Sequence, residues 1–178
     1  MTPAAAIETR EGTIVFTDLS GFTEFTALRG DAAALSLLDL QERLVREQMG
    51  DSGRIVKNLG DGLMLWFDDP LDAVQVAVAL QERFEEASGD DEEPLWVRIG
   101  IHFGRPVLRG DDFIGNDVNV AARIVELAAP GEVLVSEACT SQIEAPLDGV
   151  TFEEIGPTIM KGIPEPVALY RVMRAWDA

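Results

Sequence analysis

The stretch Arg54-Ile-Val-Lys-Asn-Leu-Gly-Asp-Gly-Leu-Met-Leu-Trp-Phe67 decides how this chain folds. Two short apolar and β-branched runs flank Gly60-Asp61-Gly62, whose glycines supply the positive φ that a tight reversal needs. The segment reads as strand, turn, strand, a β-hairpin with Asp61 at its tip.

Working outward, Gly12-Thr-Ile-Val-Phe16 reads as a buried strand that ends at Asp18, with a turn at Ser20-Gly21. Residues Phe22 to Met49 carry helical spacing, broken at Gly30-Asp31, so two helices are expected there. Beyond the hairpin, Pro70 to Ala87 reads as a helix closed by Ser88-Gly89 and a solvated acidic loop, Asp90 to Glu93. After Pro94, Leu95 to Phe103 is expected as a strand, with Pro106 to Arg109 as its shorter partner. Gly115 to Ala129 reads as a helix, Glu132 to Val135 as a strand, and Ser136 to Ile143 as a short helix with Ser136 as N-cap. Val150 to Ile155 and Val167 to Met173 close the chain as strands. This order contains β-α-β-β-α-β and predicts an α+β, ferredoxin-like sandwich, helices packed on a mostly antiparallel sheet. No repeat, low-complexity tract or linker interrupts it. A single domain is expected over residues 11–174, with a short N-terminal segment, 1–10, and a tail, 175–178.

Composition narrows the function. The 178 residues hold 14 Lys plus Arg against 32 Asp plus Glu, a formal charge of −18. Such a balance argues against a nucleic-acid polymer or an anionic membrane as partner, since both need clustered cations. No apolar run approaches the roughly 20 residues that span a bilayer. The opening residues show no basic start followed by an apolar core, so no secretory leader is expected, and a cytoplasmic location is. One cysteine, Cys139, rules out an internal disulfide, and it reads as a buried small hydrophobe. One histidine, His102, reads as structural, and together these two leave no His-rich or Cys-rich zinc site. Trp66 and Trp96 read as core or interface. Chemistry is left to carboxylates, the metals they hold, Arg and Lys. Only Lys57 and Lys161 are lysines, against twelve arginines.

Asp18 and Asp61 each stand at the end of a strand, and neighbouring antiparallel strands can set two such carboxylates side by side. Adjacent carboxylates repel unless a cation lies between them, and hard oxygen donors select Mg²⁺ or Mn²⁺. Taken alone, each is also an ordinary strand-end or turn aspartate.

Their surroundings tip the balance. Phe16-Thr-Asp-Leu-Ser-Gly-Phe-Thr23, Lys57-Asn-Leu-Gly-Asp61, Asp112-Phe-Ile-Gly-Asn-Asp-Val-Asn-Val-Ala-Ala-Arg123 and Met160-Lys-Gly-Ile163 stand in that order. Together they resemble the catalytic domain of class III nucleotidyl cyclases, specifically adenylate cyclases, over about Gly12 to Val172. The resemblance implies that Asp18, Asp61 and the backbone carbonyl of Leu19 bind two divalent cations, Mg²⁺ or Mn²⁺. It implies that Asn119 orients the ribose and that Arg123, four residues on along the same helix face, stabilises charge at the α-phosphate. Lys57 and Asp112 would read the base: a Lys donor and an Asp acceptor match N1 and the 6-amino group of adenine, with Asp111 the alternative acceptor if the loop shifts by one. Lys161 would contact the terminal phosphates. The implied substrate is ATP, the implied product cyclic AMP, and the implied assembly a head-to-tail homodimer whose sites take residues from both copies. A catalytically silent, nucleotide-binding regulator is the competing expectation. A diguanylate cyclase or polymerase-palm relative would carry Gly-Gly-Asp/Glu-Glu-Phe where this hairpin has Leu-Gly-Asp-Gly-Leu. Whether the chain is a whole enzyme or one domain of a longer protein is open.

Overall fold

The computed structural model describes residues 5–88 and 96–175. Its elements are β1 (Gly12–Leu19), α1 (Phe22–Arg29), α2 (Asp31–Met49), β2 (Gly53–Asn58), β3 (Gly62–Phe67), α3 (Pro70–Ser88), β4 (Val97–Gly104), β5 (Val107–Arg109), β6 (Asp112–Ile114), α4 (Asn116–Leu127), β7 (Val133–Ser136), α5 (Glu137–Thr140), β8 (Val150–Thr158) and β9 (Val167–Arg174). The expected acidic loop Asp90 to Glu93, with Pro94 and Leu95, lies outside the described residues, as do residues 1–4 and 176–178.

Strand order in the main sheet is β2-β3-β1-β4-β7-β9-β8. The first four strands, with α1, α2 and α3 as connections, form an all-antiparallel ferredoxin-like unit. The α4 crossover then adds β7 parallel to β4, and β9 and β8 extend the sheet antiparallel. The expected α+β sandwich is the fold.

The core explains why β1 and β3 read as nearly unbroken apolar runs: both faces of the sheet are covered. Val15, Leu19, Leu63, Leu65 and Phe67 meet Leu44, Val45, Val74, Leu80 and Phe84 of α2 and α3. Alternate residues Ile14, Phe16, Met64 and Trp66 face the other way, against Ala121 and Val125 of α4 and Phe113 of β6. Trp66 is therefore core, stacked on Phe113 with centroids 4.1 Å apart. The break between α1 and α2 falls at Gly30, whose φ of 88° suits glycine.

Two local expectations are corrected. Residues 107–109 pair with β6 in a separate two-stranded sheet, not with β4. Both edges of β4 are already taken, by β1 and β7, so no ladder is left for them. Ser136 does stand at the N-cap of α5, but its hydroxyl makes no cap bond and meets His102 Nδ1 at 2.7 Å instead.

Candidate functional site

The end of β1 and the β2–β3 turn are locked together before any side-chain chemistry is considered. Leu19 N–H donates to the Asp61 carbonyl (3.1 Å), and Gln41 Nε2 from α2 donates to that same carbonyl (3.3 Å). Gln41 is buried and also accepts from Thr17 Oγ1, which in turn accepts the Leu63 N–H. Asp18 lies opposite Gly62 in the ladder. A Cβ at Gly62 would strike the Thr17 carbonyl, so only glycine lets the turn lie this close to β1. Asp18 and Asp61 are thus brought to one end of the sheet, both partly exposed.

Asp18 has a neighbour that sequence reasoning missed. Arg98 lies opposite it on β4, and the guanidinium pairs with its carboxylate. Arg98 could have been singled out as a lone charge in the apolar strand Val97-Arg-Ile99; its partner could not, because strand neighbours are not written in spacing. The Ser20 hydroxyl and the Arg98 Nε–H, both buried here, have no hydrogen-bond partner among the described residues.

Among the described residues no cluster of three or more His, Cys, Asp or Glu side chains forms a ready-made metal cage. Two carboxylates and the backbone carbonyl of Leu19 are nonetheless the hard oxygen set that Mg²⁺ or Mn²⁺ accepts. Such ions keep several ligands as water or substrate oxygens, so a full protein cage is not needed. The residues fit the group.

A second constellation forms where β2 meets β6. Lys57 Nζ and Asp112 Oδ2 are 3.0 Å apart, and each side chain is 38% exposed. Phe113 N–H donates to the other Asp112 oxygen at 2.7 Å. Burial pushes the Asp112 carboxyl up, but the Lys57 ammonium and the Phe113 N–H outweigh it and hold the group below the usual carboxylate range. Asp111 engages β2 through its backbone carbonyl, which accepts from Arg54 Nη2 (3.1 Å).

Helix α4 carries the third set. Val120, Ala121, Ile124 and Val125 are buried, while Asn119 is exposed and Arg123 half-buried, paired with Glu126 at 2.8 Å. Spaced four apart, Asn119 and Arg123 share the helix's outer flank. Beneath the first turn, His102 Nε2 meets Asp117 Oδ1 at 3.0 Å, and Arg105 N–H donates to Asp117 Oδ2 at 2.8 Å. The hydrogen bond from His102 holds the Asp117 carboxyl below its usual range, against burial. His102 is structural in the plain sense: it ties α4 to β4 and β7. Lys161 stands exposed on the β8–β9 connection, beside Met160, which is buried against Val120 and Ile124 of α4.

A ferredoxin-like sheet with two aspartates at one end and a helix carrying Asn119 and Arg123 across one face is the architecture of the class III nucleotidyl cyclase domain. The chain belongs to the adenylate and guanylate cyclase catalytic domain family, whose model matches residues 5–174. It is 32% identical over 167 residues to a pH-sensitive adenylate cyclase of Mycobacterium tuberculosis, covering 93% of this chain and 41% of that protein. It is 30% identical over 169 residues to a putative adenylate cyclase of Rhizobium meliloti, covering 93% and 28%. It thus spans less than half the length of either relative. The adenylyl cyclase CyaB of P. aeruginosa superposes with a TM-score of 0.81 at 26% identity, over 94% of this chain and 96% of that one. Domains of this class use divalent metals and bind nucleotides. Among the described residues no helix is long and apolar enough to cross a membrane.

Proposed function

We propose that this protein is a cytoplasmic adenylate cyclase, converting ATP to 3′,5′-cyclic AMP and pyrophosphate at sites shared by two head-to-tail copies. The observation that carries the choice of base is the Lys57–Asp112 pair, a donor and an acceptor side by side and open enough for a base edge to reach. Adenine offers an acceptor at N1 and a donor at its 6-amino group. Guanine offers the reverse, and would leave groups unpaired at about 1–3 kcal/mol each. Because Asp112 is gripped at both oxygens, it suits the acceptor role better than Asp111.

Asp18, Asp61 and the Leu19 carbonyl would hold two divalent cations, Mg²⁺ or Mn²⁺. When bound, those ions acidify the ribose 3′-hydroxyl and neutralise the triphosphate. Asn119 orients the ribose so that its 3′-oxygen lies in line with the α-phosphorus. As the 3′-hydroxyl gives up its proton to solvent and its oxygen bonds to the α-phosphorus, the bond from that phosphorus to the α,β-bridging oxygen breaks, and pyrophosphate leaves with the bonding pair. Arg123 offers its guanidinium to the charge that grows on the α-phosphate, where a preorganised fork counts most. Lys161 meets the terminal phosphates. Exposed apolar side chains stand near both half-sites in the chain, Leu59 in the hairpin turn with Asp61 and Ile114 two residues from Asp112, and Leu28 and Leu35 are exposed on the first two helices. That distribution supports a second copy covering them.

The test is cyclic nucleotide formation from ATP and from GTP, with Mg²⁺ or Mn²⁺, across a range of protein concentrations and beside Asp61→Ala. Metal-dependent cyclic AMP that disappears in the variant, with specific activity rising as dimers form, is the expected result. No product from either nucleotide where the chain is dimeric would replace this reading with a silent nucleotide-binding domain.

A further inference from the structure

Lys57 reaches Asp112 only because β2 is irregular. Arg54 pairs with Trp66 and Ile55 with Leu65, but Lys57 pairs with Met64, so the register slips by one residue at Val56. In a regular strand, residues three apart point to opposite faces. The bulge cancels that parity and turns Arg54 and Lys57 to the same face as Trp66 and Met64, the face on which β6 lies. A basic side chain that a regular strand would send to the α2–α3 side is re-aimed at the nucleotide side.

The two basic residues grip consecutive residues of the small hairpin, Asp111 in its turn and Asp112 at the start of β6. Arg54 Nη2 donates to the Asp111 carbonyl, and its guanidinium lies over the Phe113 ring, 5.2 Å from the centroid. Phe113, fully buried and stacked on Trp66, supplies through its N–H the bond to Asp112 Oδ1. Between those two anchored residues stands Asp112, with Lys57 on its other oxygen. Among the described residues β5 and β6 share no backbone ladder with the main sheet. An ion pair as exposed as Lys57–Asp112 adds little to holding them in place.

We infer that Arg54 is a positioning residue for base selection: its stack on Phe113 and its bond to the Asp111 carbonyl set the Asp112 carboxylate at the distance from Lys57 that fits adenine and rejects guanine. This rests on the reading of Lys57 and Asp112 as the purine-reading pair. Without Arg54 the turn at Asp111 loses its hydrogen bond to β2 and leaves the exposed Lys57–Asp112 pair to hold that end of the hairpin, and a carboxylate freer to swing no longer penalises the guanine edge.

The experiment measures equilibrium binding of non-hydrolysable ATP and GTP analogues, together with KM and kcat, for wild type, Arg54→Ala, Arg54→Lys, Lys57→Ala and the double variant. Arg54→Ala is expected to weaken ATP-analogue binding and raise KM about tenfold, with kcat within about twofold, and to narrow the ATP-over-GTP preference. Arg54→Lys keeps the charge without the flat fork and is expected to recover only part of this. In the Lys57→Ala background, Arg54→Ala is expected to change the preference no further. If Lys57→Ala leaves the preference intact, the purine-reading assignment falls, and this inference with it. If Lys57→Ala shifts the preference while Arg54→Ala and Arg54→Lys, both folded by circular dichroism, keep wild-type affinity and preference, only the role of Arg54 is overturned.

Discussion

Asp117 shows how one partly buried carboxylate ties a helix to a sheet. His102 and the Arg105 N–H hold it below the ordinary carboxylate range, so its contribution to stability has a definite sign. A depressed carboxyl stabilises the fold above its unfolded pKa of about 3.9, and that contribution is lost as pH falls through the folded value. Urea midpoints should therefore drop on acidification below about pH 4, and Asp117→Asn should show a lower midpoint at neutral pH with a shallower acid limb. An unchanged acid limb in the variant would remove Asp117 from that role. Cys139 makes the opposite case: burial pushes its thiol up to about 12. At pH 8 it is neutral and enclosed, so a thiol reagent should label native protein at less than about a tenth of the rate seen in urea. Fast native labelling would mean that the α5 region opens.

At the scale of elements, the hairpin around Asp61 is held by a contact that tolerates no side chain. Gly62→Ala would drive a methyl into the Thr17 carbonyl and separate the turn from β1. A loss on the order of 2–4 kcal/mol in urea unfolding is expected, with metal-dependent activity falling further than stability, because Asp61 moves with the turn. Full activity in that variant would show that the turn does not position Asp61. This hairpin, the two-helix break at Gly30 and the strand holding Asp18 were legible because apolar period and glycine placement are local signals. What stayed hidden was the outcome of competition between elements. Residues 107–109 look like a partner for β4 until β7 is seen to take that edge, and Gln41 looks like any polar helix residue until it reaches the Asp61 carbonyl. The bulge at Val56 has no glycine or proline to announce it. Lys57 could be singled out as one of two lysines, and its aim is set by pairing with β3.

For the whole molecule, the decisive question is whether one chain holds a complete site. The two aspartates lie at the end of β1 and in the hairpin turn, while Asn119 and Arg123 stand on α4, across the opposite face of the sheet from α2 and α3. Two copies arranged head to tail would bring one set against the other, and each copy carries both sets. Asp61→Ala and Arg123→Ala should then each be inactive alone and recover on mixing, because a heterodimer has one doubly damaged site and one intact site. With random exchange about half the dimers are mixed and half their sites work, so activity should return to about one quarter of wild type. A charge of −18 on each copy opposes association, and with a Debye length of about 8 Å at physiological ionic strength that repulsion is tuned by salt. Recovery should accordingly be faster and larger at moderate than at very low ionic strength, read as cyclic AMP formed against time after mixing. Dimers that exchange subunits, seen by sedimentation or by energy transfer between labelled copies, yet give no recovery would place the complete site within one chain and end the shared-site model.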